Sequence, residues 1–71
     1  MILLTIAHPT GRFERHIFDW LDEADLYAEV NCTPQSRYMT ILLEEGQNVY
    51  KAMRYAKISL AEMMLEEGLL V

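Results

Sequence analysis

The sequence predicts an α+β fold, a small β-α-β-β-α layer in which two helices cover one face of a three-stranded sheet. Three features indicate this: an apolar run opens the chain, two segments space their apolar residues as helices do, and two segments alternate as strands do. With 71 residues, we expect one compact domain spanning residues 1–71. A chain of this size hides only about 60% of the surface that its unfolded form exposes.

The first two predicted elements are a strand and a helix. Ile2–Ala7 is apolar on both sides of the pleat, which suits a strand covered on both faces. His8-Pro9-Thr10-Gly11 ends it, because proline fixes its own backbone angle. Residues 12–24 then predict an amphipathic helix, and we expect Trp20 to be largely buried between that helix and the sheet. The apolar positions at helical spacing are Phe13, Ile17, Trp20, Leu21 and Ala24.

The middle of the chain predicts a β-hairpin. Residues 26–32 alternate strictly between apolar and polar side chains, which is typical of a strand with one wet face. Thr33-Pro34-Gln35-Ser36 is a turn by composition, and residues 37–43 predict a second strand, antiparallel to the first. The opening strand pairs with either the second or the third strand, and the sequence leaves both pairings open.

The C-terminal segment, residues 47–67, predicts one long helix with two apolar stripes. Gly68 marks its C-terminal cap, while a capping-box pattern that starts at Ser59 would allow a break near Lys57. The main stripe is wide enough to cover a core. Its members are Val49, Ala52, Met53, Ala56, Leu60, Met63 and Met64.

A second apolar stripe runs beside the first on the same helix. It consists of Tyr50, Ile58, Ala61 and Leu65. Either the domain wraps the helix on two sides, or this second stripe meets another chain. Because 52% of the residues are hydrophobic, more than so small a core readily hides, we expect a homodimer. Either this stripe or a sheet edge formed by the opening strand, which is apolar on both faces, could pair about a two-fold axis.

Composition excludes several classes of function. The formal net charge of −5 argues against unaided nucleic-acid binding, which depends on neutralising phosphates. No stretch is long and apolar enough to span a bilayer, and the apolar N-terminus lacks the basic flank of a signal peptide. With a single cysteine no internal disulfide can form. We therefore expect a cytoplasmic protein with no membrane association.

No residue pattern points to catalysis or to a bound cofactor. The chain has no glycine-rich phosphate loop and no nucleophile elbow. His8, His16 and Cys32 lack the spacing of a zinc site, and nothing would orient His16 as a base for Cys32. We expect no enzymatic activity, no cofactor and no metal.

The acidic residues offer the clearest candidate for a binding site. Asp19, Asp22 and Glu23, with Asp25 and Glu29 beyond them, form an acidic row. Side chains three and four apart on a helix lie about 5–6 Å from one another, comparable in scale to the charge spacing of a nucleic-acid backbone. The row could therefore stand in for phosphates, or it could be an ordinary solvated face. A cation site is disfavoured, because calcium and magnesium ligands converge from a loop.

These observations support two hypotheses of function. The first is a non-enzymatic inhibitor or modulator that binds a basic, nucleic-acid-binding protein. In one version of this hypothesis the protein binds its partner by mimicking DNA. In size, acidity and lack of catalytic motifs the chain resembles the compact accessory proteins with which phages and mobile elements modulate host proteins, an analogy that rests on bulk properties and on no particular residue. The alternative is a self-assembling structural or adaptor module that acts through the second stripe.

Overall fold

A three-stranded antiparallel sheet and two helices make up the fold. The computed structural model describes residues 1–69. The elements are β1 (Ile2–Ala7), β2 (Phe13–Phe18), α1 (Leu21–Asn31), β3 (Arg37–Leu42) and α2 (Val49–Glu66). The predicted α+β class, with three strands and two helices, is confirmed, and the elements follow one another in the order β-β-α-β-α.

Strand β1 is the centre of the sheet. It pairs antiparallel with both β2 and β3, in the order β2-β1-β3, and all six of its residues are buried. Ile2, Leu4 and Ile6 pack in a cluster with α1, whereas Leu3 and Ala7 pack in clusters with α2. Because neighbouring side chains of a strand point to opposite faces, the two helices lie on opposite faces of the sheet and not on one face as expected.

The helix predicted over residues 12–24 is wrong, because Phe13–Phe18 is a strand. A tight turn returns the chain beside β1: the His8 N–H donates to the Arg12 carbonyl at 2.9 Å, and the Gly11 N–H donates to the His8 carbonyl at 2.9 Å. Gly11 has a φ of 90°, which glycine adopts without steric cost. The apolar positions at helical spacing belong to two elements: Phe13 and Ile17 lie in β2, whereas Leu21 and Ala24 lie in α1.

Trp20 is exposed, so the prediction that it is buried is wrong. The residue is 69% exposed, and its extended backbone forms the N-cap of α1. Ile17 and Leu21, also expected in the core, are exposed as well, and Phe13 is partly buried. Of that predicted group, Ala24 is the member that is fully buried.

Helix α1 replaces the strand predicted over residues 26–32. Its buried residues, Ala24 and Ala28, are one turn apart, and their small side chains allow the helix to lie close to the sheet. Asp22 and Glu23 occupy its first turn, where carboxylates interact favourably with the helix dipole. The predicted turn follows, with the Ser36 N–H donating to the Thr33 carbonyl at 3.0 Å, but it connects α1 to β3 instead of joining two strands.

Helix α2 is continuous and does not break near Lys57. The Asn48 side chain accepts a hydrogen bond from the Lys51 N–H at 3.2 Å, which caps the N-terminus. Gly68, at a φ of 69°, ends the helix, and the Leu69 N–H donates to the Met64 carbonyl at 2.8 Å, as predicted for a left-handed cap. The predicted main stripe supplies the buried residues, which are Ala52, Ala56, Leu60 and Met64.

The exposure of Trp20 gives a direct test of this fold. Trp20→Ala should change the free energy of unfolding by no more than about 0.5 kcal/mol, because the substitution removes no buried side chain. Leu4→Ala, at a fully buried position of β1, should cost about 2–5 kcal/mol. Urea unfolding followed by circular dichroism measures both, and a larger loss for Trp20→Ala than for Leu4→Ala would contradict the fold.

Candidate functional site

Helix α1 and the residue before it carry the predicted acidic row. Asp19 precedes the helix, and Asp22, Glu23, Asp25 and Glu29 lie on it. Asp25 is partly buried and the other four are exposed. No lysine, arginine or histidine occurs between Asp19 and Ser36. This segment therefore carries negative charges and no positive ones.

The helical geometry divides these carboxylates between two flanks of α1. At about 100° per residue, Asp22, Asp25 and Glu29 share one flank, and Glu23 lies on the other. The first flank faces β3, where Tyr38 lies opposite Ile6 on the side of the sheet that α1 covers. Burial, followed by the charges of Asp25 and Glu29, raises the pKa of the Tyr38 hydroxyl. The predicted row is thus a group of three residues, Asp22, Asp25 and Glu29, here called the acidic flank.

The acidic flank forms no ion pair within the described part of the chain. In residues 1–69 the carboxylates that form ion pairs are those of Glu14 and Glu67. Glu67, the C-cap residue of α2, pairs with Arg37 at 2.8 Å. The charges on α1 are consequently not neutralised by intrachain contacts.

An apolar groove lies on the opposite flank of α1, beside β2. It encloses about 330 Å³ and is lined by Phe18, Glu23, Leu26, Tyr27, Val30 and Asn31. Leu26 and Val30, one turn apart, are 62% and 74% exposed. The Phe18 and Tyr27 rings lie 5.6 Å apart between their centroids. We call this surface the α1 groove; the sequence did not reveal it, because it exists only when residues 26–30 are helical.

A partly buried polar cluster was also missed from the sequence. His8 Nε2 donates to Glu14 Oε2 at 2.7 Å, and the Ser36 hydroxyl lies 3.1 Å from His8 Nδ1. Since a carboxylate only accepts, Nε2 carries a proton. The other oxygen of Glu14 forms an ion pair with Arg12, at 3.2 Å from a guanidinium nitrogen. Because His8 and Ser36 are 28 residues apart, no local pattern reports this contact.

The Ser36–His8–Glu14 order resembles a catalytic triad, but the serine is not available as a nucleophile. Ser36 is 5% exposed. Its oxygen also accepts from the Thr33 N–H at 3.1 Å and lies 3.0 Å from the Thr33 hydroxyl, so its hydrogen-bonding capacity is used within the fold. The cluster instead connects the end of β1, strand β2 and the loop before β3.

Cys32 and His16, the other residues considered for catalysis or metal binding, are also packed within the fold. Cys32 is partly buried, and burial and the Glu14 charge raise the pKa of its thiol, which opposes thiolate formation. The His16 ring packs on Tyr27 with 4.5 Å between the centroids. Across residues 1–69 no group of three or more histidine, cysteine, aspartate or glutamate side chains is placed to hold a metal ion.

The second stripe of α2 lies outside the buried core. Tyr50, Ile58 and Leu65 are 81%, 52% and 66% exposed, and Ala61 is partly buried. The core packs against the other side of the helix, so the described chain does not wrap α2 on two sides. An apolar stripe of this kind remains available to another molecule.

Comparisons with protein-family models, curated proteins and solved structures give no match for this chain. In residues 1–69 neither helix combines the length and the apolar character needed to cross a bilayer. The exposed surfaces of α1 and α2 are therefore the features that bear on function.

The polar cluster predicts an acid-dependent loss of stability. The hydrogen bond from His8, followed by the charge of Arg12, lowers the pKa of Glu14 below its ordinary value of 4.5. A carboxyl whose folded pKa is lowered stabilises the fold above its unfolded pKa and loses that contribution as the pH falls through the folded pKa. Glu14→Gln should therefore destabilise the protein at neutral pH, by an amount that shrinks below pH 4.5.

Urea unfolding of both proteins across an acid series measures this difference. Glu45→Gln, at an exposed position, is the matched control and should follow the parent at every pH. A constant difference between Glu14→Gln and the parent, from neutral pH to well below 4.5, would contradict the assigned role of the Glu14 carboxylate.

Proposed function

We propose that this protein is a non-enzymatic binding module that uses α1 to engage a basic protein. One observation supports the proposal most strongly. The carboxylates of α1 have no intrachain basic partner in residues 1–69, and they flank an exposed apolar groove on the same helix. A surface that offers both charge and apolar area fits a protein partner.

The two flanks contribute differently to binding. Complementary charge speeds association and selects the partner more than it deepens affinity, which is the expected role of Asp22, Asp25 and Glu29. Burial of apolar area contributes about 25 cal/mol per Å², so the exposed side chains of Leu26 and Val30 supply affinity when they are covered. The acidic flank then sets the on-rate, and the α1 groove sets the off-rate.

We propose that the partner is a nucleic-acid-binding protein and that binding inhibits or modulates it. The three carboxylates of the acidic flank lie within residues 22–29, whose ends are about 10 Å apart along the helix, whereas DNA carries one charge per about 1.7 Å of its axis. The flank is less densely charged than DNA, so it competes with DNA for a phosphate-binding surface only when the α1 groove adds apolar contacts. This is the activity expected of a phage-type accessory protein that acts on a host protein.

We further propose a cytoplasmic location. Cys32 is the single cysteine of the sequence and is partly buried as a free thiol. A partly buried free thiol suits a reducing compartment, where disulfides are rare.

Displacement of labelled DNA from a basic, chromatin-type DNA-binding protein tests the proposal. The parent should displace the DNA, and a triple variant with Asp22→Asn, Asp25→Asn and Glu29→Gln should associate with the DNA-binding protein at least about tenfold more slowly. A control with Glu44→Gln, Glu45→Gln and Glu66→Gln removes the same charge at exposed positions outside α1 and should behave as the parent. Higher salt should weaken competition by the parent.

A second pair of substitutions separates the two flanks. Leu26→Ser with Val30→Ser should raise the dissociation rate and leave the association rate nearly unchanged. Both side chains are exposed, so the fold should persist by circular dichroism. Equal competition by the parent and the acidic-flank variant, or the absence of competition by the parent across a set of basic DNA-binding proteins, would remove the proposal.

A further inference from the structure

The charges along α2 run against its helix dipole. Lys51, Arg54 and Lys57 lie in its N-terminal half, and Glu62 and Glu66 lie in its C-terminal half. The first turn has no acidic residue and the last turn has no basic one. Cations are disfavoured in the first turn of a helix and anions in the last turn, so Lys51 and Glu66 are each unfavourably placed in an isolated molecule.

The charged residues border the second stripe. At about 100° per residue, Arg54 falls inside the stripe, between Tyr50 and Ile58 along the helix. Lys51 and Glu62 lie together along one edge of it. The stripe is centred about 140° around the helix from the buried stripe. It therefore faces away from the sheet, where a second helix can reach it.

We propose that the second stripe binds a second copy of this chain, with the two α2 helices antiparallel about a two-fold axis near Ile58. An isologous contact of this kind places the same patch on both sides of the axis. Ile58 then meets Ile58 of the second copy, and Tyr50 overlaps with its Leu65. The inference is independent of the proposed basic partner, because it uses the opposite helix.

Antiparallel pairing also brings basic residues of one α2 helix close to acidic residues of the other. Arg54 lies four residues before Ile58 and Glu62 four residues after it, so the pairing sets Arg54 opposite Glu62 of the second copy. Lys51 is three residues further from Ile58 than Arg54, about 4.5 Å along the helix axis. Each Glu62 thus meets two basic side chains, and the symmetry repeats the contact. A parallel pairing would instead set like charges against each other.

Ala61 provides the space that this arrangement needs. It lies in the stripe one residue before Glu62 and is partly buried, and its small side chain leaves room for the aliphatic stem of Arg54 from the second copy. A single helix face is smaller than the roughly 800 Å² per partner of a standard interface. We therefore expect dimerisation in the micromolar range, weakened by salt.

A charge-exchange experiment tests the orientation. Glu62→Lys should raise the dimer dissociation constant at least about tenfold, because it sets three basic residues against one another. Lys51→Glu with Arg54→Glu should do the same by setting acidic residues together. An equimolar mixture of the two variants should dimerise again, since each variant then meets the opposite charge on the other. Sedimentation velocity from micromolar to millimolar concentration measures all three samples.

The control is Glu66→Lys, which makes the same charge change about 80° around the helix from Ile58 and should leave dimerisation as in the parent. Circular dichroism checks the fold of each variant; all of these positions are exposed. A parent that stays monomeric, a Glu62→Lys variant that dimerises like the parent, or a mixture that stays monomeric would each overturn the proposal. None of these outcomes affects the α1 competition assay.

Discussion

Burial of β1 on both faces is the constraint on which the rest of the structure depends. All six residues of this strand are buried. Leu3 and Leu4 point to opposite faces of the sheet, so helices on one face alone cannot bury both side chains. One helix is needed on each side. The chain meets this need by placing α1 after β2 and α2 after β3.

Both helices reach the sheet through small side chains, and this leaves most of their surface outside. Helix α1 buries Ala24 and Ala28, and α2 buries Ala52 and Ala56 beside two larger residues. The acidic flank, the α1 groove and the second stripe are parts of this exposed helix surface. Since α1 and α2 lie on opposite faces, a dimer built through α2 would present two copies of α1, and a partner with two basic sites would gain avidity.

The parts of the fold that the sequence predicts are those set by local patterns. Ile2–Ala7 and the long C-terminal helix are continuous signals, and both are confirmed. The second and third elements were exchanged because a short stretch can match both periods: residues 26–32 alternate, yet Ala24 and Ala28 are one helical turn apart. The turn at Gly11 was the stronger signal, since a short loop that contains glycine favours a hairpin.

The candidate site was predictable in part, for the same reason. The carboxylates of α1 are visible in the composition, but their division between two flanks and the α1 groove depend on residues 26–30 being helical. The contact between His8 and Ser36 depends on three segments brought together by the sheet. A periodicity argument carries no information on such long-range contacts.

Native-state hydrogen exchange tests the central role of β1 most directly. Amides that exchange only through global unfolding report the most stable part of a fold. The amides of Leu3, Leu4, Thr5 and Ile6 should be the slowest in the protein, with β2 and β3, which each have one free edge, exchanging faster through local opening. If the β1 amides exchange as fast as those of the edge strands, or faster than those of α1 and α2, a doubly covered central strand does not organise this fold.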